Sequence, residues 1–252
     1  MDIIFFIVIG GLWGSFANVC IYRLPINKNI ALGRSFCTNC KKKIAWFDNI
    51  PVLSYLILRS KCRNCKKKIS FQYFLVELLS ILNFTVIYLL FGITLTTILL
   101  IILSLAFLII FFIDLRHYII PNSITYPMMI LGFIKSFDPN LNFIFPNYIN
   151  SLIGGIFGYA MIWSIIYFYK QIKKKDGMGL GDAKLFAVIG FWFGWISIPF
   201  IIFLSSIIAL IYVLPDLLKN SKKMSSQIPF GPFIIIGTIF YLVFQDYFVQ
   251  LL

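Results

Sequence analysis

Two carboxylates and four thiols are the groups in this chain whose types and spacing suit chemistry. Gly177-Met178-Gly179-Leu180-Gly181-Asp182-Ala183-Lys184-Leu185 places an acid at the start of a long apolar segment, directly after three glycines. A second acid, Asp114, closes another apolar run in Phe112-Ile113-Asp114-Leu115-Arg116-His117. A charge at membrane depth costs roughly 2.5–3.5 kcal/mol at a helix centre on insertion scales, and less near the interface, so such a residue reads as functional and calls for a partner. Two neighbouring carboxyls do not both ionise; they share a proton and titrate as a pair. One then acts as base on a water molecule while the other protonates a scissile carbonyl oxygen. On this reading Asp114 and Asp182 meet at the membrane surface and hydrolyse a peptide bond. Gly177, Gly179 and Gly181 are expected to allow unusual φ angles and close approach of an extended substrate. Gly179, Gly181, Lys184 and Glu77 are the candidate substrate-binding residues. Structural roles compete: Asp182 as N-cap of a helix beginning at Ala183, and Asp114 paired with Arg116 or Lys184 as an interfacial anchor.

The thiols fall in two C-x2-C pairs, Cys37-Thr38-Asn39-Cys40 and Cys62-Arg63-Asn64-Cys65, separated by 21 residues and each followed by three lysines. A two-residue gap turns both thiolates of a knuckle onto one tetrahedral ion, and two knuckles complete a closed zinc shell. The neighbouring lysines favour the thiolate, and a reducing cytosol argues against disulfides; a redox pair is the competing reading. Trp46, Ile50, Pro51, Leu53, Tyr55 and Leu56 are expected to pack over the metal. Cys20 reads as a small apolar helix residue.

The elements that must position these groups are set by composition. The chain has 252 residues, 60% hydrophobic and only 12% charged, with a mean hydropathy of +0.93. A soluble domain carries about 25% charged residues, so this is an all-α polytopic membrane protein. Runs near 20 apolar residues mark spans, and they are too long and unalternating for a barrel. Spans are expected at 3–20, 71–91, 95–113, 121–135, 149–169, 182–197, 199–217 and 230–250, about eight in all. The first resembles a signal peptide but lacks a basic flank and a small-residue cleavage site, so it reads as a retained helix. Small residues at Gly14, Ser15, Ala17 and at Gly154, Gly155, Gly158 suit tight helix contact.

The net charge of +13 is blockwise. Lys and Arg cluster at Arg23 to Lys68, Arg116, Lys170 to Lys184 and Lys219 to Lys223, and alternate loops carry only Lys135. That is the positive-inside pattern rather than a basic stripe interleaved with stacking aromatics; nucleic acid is not an expected partner, whereas membrane lipid is. Both aspartates and the cysteine loop then face the cytosol. The domain reading is a first helix at 1–25, a cytoplasmic four-cysteine zinc loop at 26–70, and a membrane core at 71–252. Glu77, the only glutamate, either pairs with a zinc-loop lysine or helps bind substrate. Asp48, Asp138, Asp176, Asp216 and Asp246 read as loop or interface residues, and His117 as a surface residue.

Taken together, the chain resembles the type IV prepilin peptidases, bacterial membrane aspartic proteases of the GxGD class. The resemblance spans Gly14 to Pro25, the paired cysteine motifs, Asp48-Asn49-Ile50-Pro51-Val52-Leu53-Ser54-Tyr55, Val76-Glu77-Leu78-Leu79, Asp114 with Ile120-Pro121, Gly177 to Leu185, and Pro229-Phe230-Gly231-Pro232. It implies a bacterial inner-membrane enzyme that cuts prepilins and type II secretion pseudopilins after a glycine ending a basic leader, with Asp114 and Asp182 as the catalytic pair. It also implies N-methylation of the new terminus with S-adenosylmethionine. Ser60, Gln72, Phe74 and Asn122 depart from the family's usual residues. Two other readings make different predictions: a transporter or scaffold with proton-carrying aspartates, and a protease that cuts within spans.

Overall fold

The computed structural model describes residues 2–31, 33–174, 177–218 and 228–250. Asp176, Lys175, the Lys219 to Lys223 block and the side chains of Asp216 and Asp246 lie outside what it describes. Among the described residues every extended regular element is a helix: α1 (Asp2–Arg23), α2 (Leu53–Ile57), α3 (Phe71–Phe91), α4 (Leu95–His117), α5 (Asn122–Lys135), α6 (Tyr148–Lys173), α7 (Leu180–Phe193), α8 (Ser197–Leu218) and α9 (Gly231–Gln250). The eight apolar helices sit where the apolar runs put them. Among the described residues five helical segments are long and apolar enough to cross a membrane. By contrast, α5 and α7 have 14 residues each, about 21 Å of helix against a hydrocarbon core of about 30 Å.

The chain divides into two compact units, Met1–Ile109 and Ile110–Leu252. In the first, α1 lies antiparallel against α3. A Cβ on Gly14 would come within 2.8 Å of the Glu77 Cα, and one on Gly10 within 2.9 Å of the Ile81 Cα. These glycines, one turn apart, let the two backbones touch. Gly10 was not among the small residues expected to do so. Phe6 stacks on Tyr88 at 4.4 Å, and the Asn18 side-chain amide donates to the Tyr73 carbonyl at 3.0 Å. Arg23 is buried, and its guanidinium donates to the carbonyls of Asn29 (2.9 Å) and Gly33 (3.1 Å).

The segment between the knuckles does not pack over the metal as expected. Pro51 instead lies 3.2 Å from where a Gly11 Cβ would be, twelve residues, or about 18 Å, along α1 from Arg23. Tyr55 packs on Phe74 at 5.3 Å, and Trp46, Ile50, Leu53 and Leu56 are exposed. The reason is the notch at Gly11: it admits a proline ring against the helix, and the apolar neighbours are left exposed.

In the second unit α6 and α7 touch backbone to backbone. A Cβ on Gly154 would collide with the Gly190 carbonyl, and one on Gly190 with that of Gly154. Trp192, fully buried, donates from Nε1 to the Met128 carbonyl of α5 at 2.8 Å. Lys135 is not a loop residue. It is buried, its Nζ donates to the Trp192 carbonyl at 3.2 Å and sits 3.9 Å from the Phe145 ring centroid. There it caps the carbonyl end of α7, where a cation is favourable, and the aromatic faces replace part of its hydration.

Candidate active site and metal centre

Asp114 occupies the last turn of α4, with the Tyr118 N–H donating to its backbone carbonyl at 3.0 Å. Tyr118 has φ 56°, which turns the chain out of the helix and brings Ile120 and Pro121 back beneath it. Asp182 stands at the third position of α7, whose N-cap is Gly179. The Asp182 N–H donates to the Gly179 carbonyl at 3.1 Å, and the Gly179 N–H donates to Asp182 Oδ2 at 3.2 Å. This reciprocal pair satisfies a helix terminus. It also corrects the expected N-cap role: the helix begins at Leu180, and Asp182 lies inside its first turn.

The third contributor is the start of α9. The Gly231 N–H donates to Asp114 Oδ2 at 2.9 Å. A Cβ at Gly231 would lie 2.7 Å from that oxygen and 3.4 Å from Ile120 Cδ1, while one at Gly181 would lie 3.0 Å from Ile120 Cβ. Ile120 is thus a shared spacer between the two glycines, and segments distant in sequence converge on one place. Both carboxyls are buried, with 4% exposure for Asp114 and 8% for Asp182. Each acid has Oδ2 held by a backbone N–H at a helix N-terminus, where anions are stabilised. Among the described residues neither Oδ1 takes a hydrogen bond. A pair arranged in this way has one fixed and one available oxygen on each side.

Several competing roles are not what the structure shows. Asp114 pairs with neither Arg116 nor Lys184; the Lys184 Nζ donates to Asn122 Oδ1 at 2.7 Å and lies over the Tyr126 ring. Gly177, Gly179 and Gly181 have no positive φ. They serve by close approach instead, Gly181 on Ile120 and Gly177 on Tyr169 (2.6 Å). Glu77 makes no ion pair with a loop lysine. It accepts the Val52 N–H at 2.7 Å, within the first unit. His117 is exposed, and Asp138 accepts the Asn140 N–H at 3.0 Å.

The four cysteines form one cluster. The Sγ atoms of Cys37, Cys40, Cys62 and Cys65 all lie within 4.8 Å of one another, and Cys37 Sγ is 3.9 Å from Cys65 Sγ. Four thiolates around zinc at about 2.3 Å are about 3.8 Å apart, so the donor set fits that ion. The knuckles repeat each other: Cys37 N–H to Lys42 carbonyl (3.0 Å) matches Cys62 N–H to Lys67 carbonyl (2.9 Å), and Lys41 and Lys66 both have positive φ. The Lys67 backbone N–H and the Asn39 amide pull the Cys65 thiol down to about 6. The backbone N–H of Cys40 lowers Cys37. Asp48 pairs with Arg63 at 2.6 Å, which holds its carboxyl below the usual carboxylate range and ties the loop to the second knuckle.

Residues 8–91 match the model of the Bacterial Peptidase A24 N-terminal domain, and residues 101–214 that of the Type IV leader peptidase family. A Vibrio cholerae prepilin leader peptidase/N-methyltransferase is 38% identical over 94% of this chain and 94% of its own length. The chain belongs to the type IV leader peptidase family. Proteins of the same name from Pseudomonas aeruginosa (32% identical, covering 95% of this chain and 89% of theirs) and Aeromonas salmonicida (31%, 92% and 87%) match similarly. No solved structure matches. The leader-peptidase match contains both aspartates; the N-terminal match contains Glu77 and all four cysteines. Gly231 lies beyond either match, and its contact with Asp114 was not foreseen. The signal for it was the Pro229-Phe230-Gly231-Pro232 stretch, a glycine between two prolines directly before an apolar run.

Proposed function

We propose that this chain is a membrane aspartic peptidase that removes the basic leader of type IV prepilins and type II secretion pseudopilins, and then N-methylates the new terminal residue. The carrying observation is the convergence of Asp114 and Asp182 with Gly231 and Ile120. With one proton shared between the carboxyls, the ionised one draws a proton from water. The other gives its proton to the carbonyl oxygen of the scissile bond, and the tetrahedral intermediate collapses with the proton passing to the leaving amine. The Gly179 and Gly231 amides hold Oδ2 of each acid, so the Oδ1 atoms face water and peptide. Gly179, Gly181 and Lys184 flank the substrate path.

Cys37, Cys40, Cys62 and Cys65 would hold a structural zinc ion, which fixes a loop too small to fold on its own apolar core. S-adenosylmethionine would supply the methyl group. The enzyme would reside in the bacterial inner membrane as a multi-pass protein, with the zinc loop and the aspartates on the cytosolic side. Co-expression with a prepilin carrying a Gly–Phe junction tests the whole reading by mass spectrometry. The mature N-terminus should begin at Phe and carry one added methyl; an uncut substrate refutes it.

A further inference from the structure

Residues 46–57, between the two cysteine knuckles, are arranged in the opposite way to a loop in water. Their polar groups are turned inward. The Val52 N–H donates to the Glu77 carboxylate at 2.7 Å, and Ser54 Oγ donates to the Phe47 carbonyl at 3.1 Å. The Ser54 and Leu56 N–H groups donate to the carbonyls of Ile50 (3.0 Å) and Val52 (3.2 Å). The acid of the segment, Asp48, is paired with Arg63. Large apolar side chains are left outside: Trp46 is 75% exposed, Ile57 73%, and Phe47, Ile50, Leu53 and Leu56 are exposed with them. Six such side chains in a stretch of twelve residues mark an interaction surface.

Two contacts set the depth of this face. Pro51 packs at Gly11 of α1, 3.2 Å from where a Cβ would be. That point is about 18 Å along α1 from Arg23, more than half of a helix of 22 residues. Glu77, which holds the Val52 N–H, belongs to α3 and lies against Gly14 of α1. Both helices are long and apolar enough to cross a membrane, so the turn at 50–52 reaches membrane depth. Non-helical backbone is tolerated there only where protein satisfies its polar groups, and Glu77 does this for Val52. Val52 has φ 62°, an angle that a β-branched residue takes only where its surroundings enforce it. Twelve residues are too few to cross a bilayer and suit a re-entrant segment. The flanks are basic: Lys41, Lys42 and Lys43 on one side, Lys66, Lys67 and Lys68 on the other, all exposed. An apolar face between basic runs is what an anionic bilayer attracts.

We propose that residues 46–57 form a re-entrant membrane segment. Its outer face sits among acyl chains, the two lysine runs meet anionic headgroups, and Glu77 is the positioning residue that holds the turn. The occupant is lipid because the bilayer already surrounds α1 at the depth of Pro51, whereas a second copy would need a matching face of its own. The proposal requires α1 and α3 to cross the membrane and is independent of leader cleavage and methyl transfer.

The test uses the zinc-loaded full-length protein in nanodiscs of phosphatidylcholine and phosphatidylglycerol. The emission of Trp46 is taken as the difference between wild type and Trp46→Phe. Bromine on the upper acyl chains lies at the depth such segments reach, about 5–10 Å, and should remove about half of that emission. Aqueous acrylamide should remove little. Bromine carried by phosphatidylglycerol should quench more than the same amount carried by phosphatidylcholine. Glu77→Leu, which leaves the Val52 N–H without its acceptor, should reverse the pattern, with acrylamide quenching and bromine not. Glu77→Gln, which keeps an acceptor, should behave as wild type. Wild-type emission reached by acrylamide and not by bromine overturns the proposal, because the face then lies in water. Emission reached by neither also overturns it, because protein then covers the face, and native mass spectrometry shows whether that protein is a second copy. Equal quenching by the two bromolipids removes the lysine runs from the assignment, and a wild-type pattern in Glu77→Leu removes Glu77. An uncut prepilin would refute the peptidase reading and leave these outcomes untouched.

Discussion

Replacing Gly231 by alanine should cripple cleavage without unfolding the protein. The added Cβ would sit 2.7 Å from Asp114 Oδ2 and 3.4 Å from Ile120 Cδ1. Ordinary contact to a carboxyl oxygen is well over 3 Å, so the carboxyl must retreat by roughly half an ångström or more, and the 2.9 Å Gly231 N–H bond is lost or bent. A hydrogen bond to a charged group contributes about 1.5–3 kcal/mol, and a misplacement of about 1 Å at a reacting group costs about 100-fold. The expected fall in kcat is therefore ten- to hundredfold, with KM nearly unchanged, because the displaced group acts on the reacting bond. Gly237→Ala on the same helix is the control. Its Cβ would meet Ser205 Oγ at 2.7 Å, a crowded contact that touches neither aspartate, so it should lower thermal stability but not kcat. The assay is single-turnover cleavage of a fluorescent leader peptide by detergent-solubilised enzyme, with unfolding followed in parallel. A Gly231→Ala enzyme cutting at the wild-type rate would refute the positioning of Asp114 by α9.

The remaining predictions concern the supports of the site. Zinc binding needs thiolates, so the ion should be retained at neutral pH and released in acid as the four cysteines take up protons. Asn39→Leu, which removes a donor to Cys65, should move that release to higher pH, read by a colorimetric zinc chelator. Cys62→Ser should lose the metal at neutral pH and expose 26–70 to limited proteolysis. Gly190→Val in α7 cannot be accommodated against the Gly154 carbonyl; a loss above about 3 kcal/mol is expected for such overpacking, seen as failure to accumulate in membranes. Because Arg63 depresses Asp48, their contact stabilises the loop above the ordinary carboxylate range and fades as pH drops toward the lowered value. Arg63→Ala should therefore speed loop proteolysis at pH 7 and make progressively less difference as pH falls below the ordinary carboxylate range.

How much of this was legible beforehand depends on the kind of signal. Apolar runs locate helices well, since length and hydrophobicity are local properties; α3 occupies the expected 71–91. Helix ends are less local. The start of α7 at Leu180 follows from a reciprocal bond between Gly179 and Asp182, which spacing alone left competing with an N-cap at Asp182. The four cysteines were readable because metal chemistry fixes their spacing. The loop between them was not: its apolar residues looked like cover for the metal, whereas the notch at Gly11 that receives Pro51 is invisible without α1 beside it. Gly231 belongs to the same class, a glycine explained only by an oxygen 117 residues away in the chain.

The central claim is that Asp114 and Asp182 form one catalytic pair, and the direct measurement is leader cleavage by Asp114→Asn and Asp182→Asn enzymes that insert, hold zinc and unfold like the wild type. Each single variant should lose cleavage by at least a thousandfold, about 4 kcal/mol of transition-state stabilisation, and the double variant should lose little more, since the two groups act as a unit. Cleavage near the wild-type rate by either single variant would contradict the account.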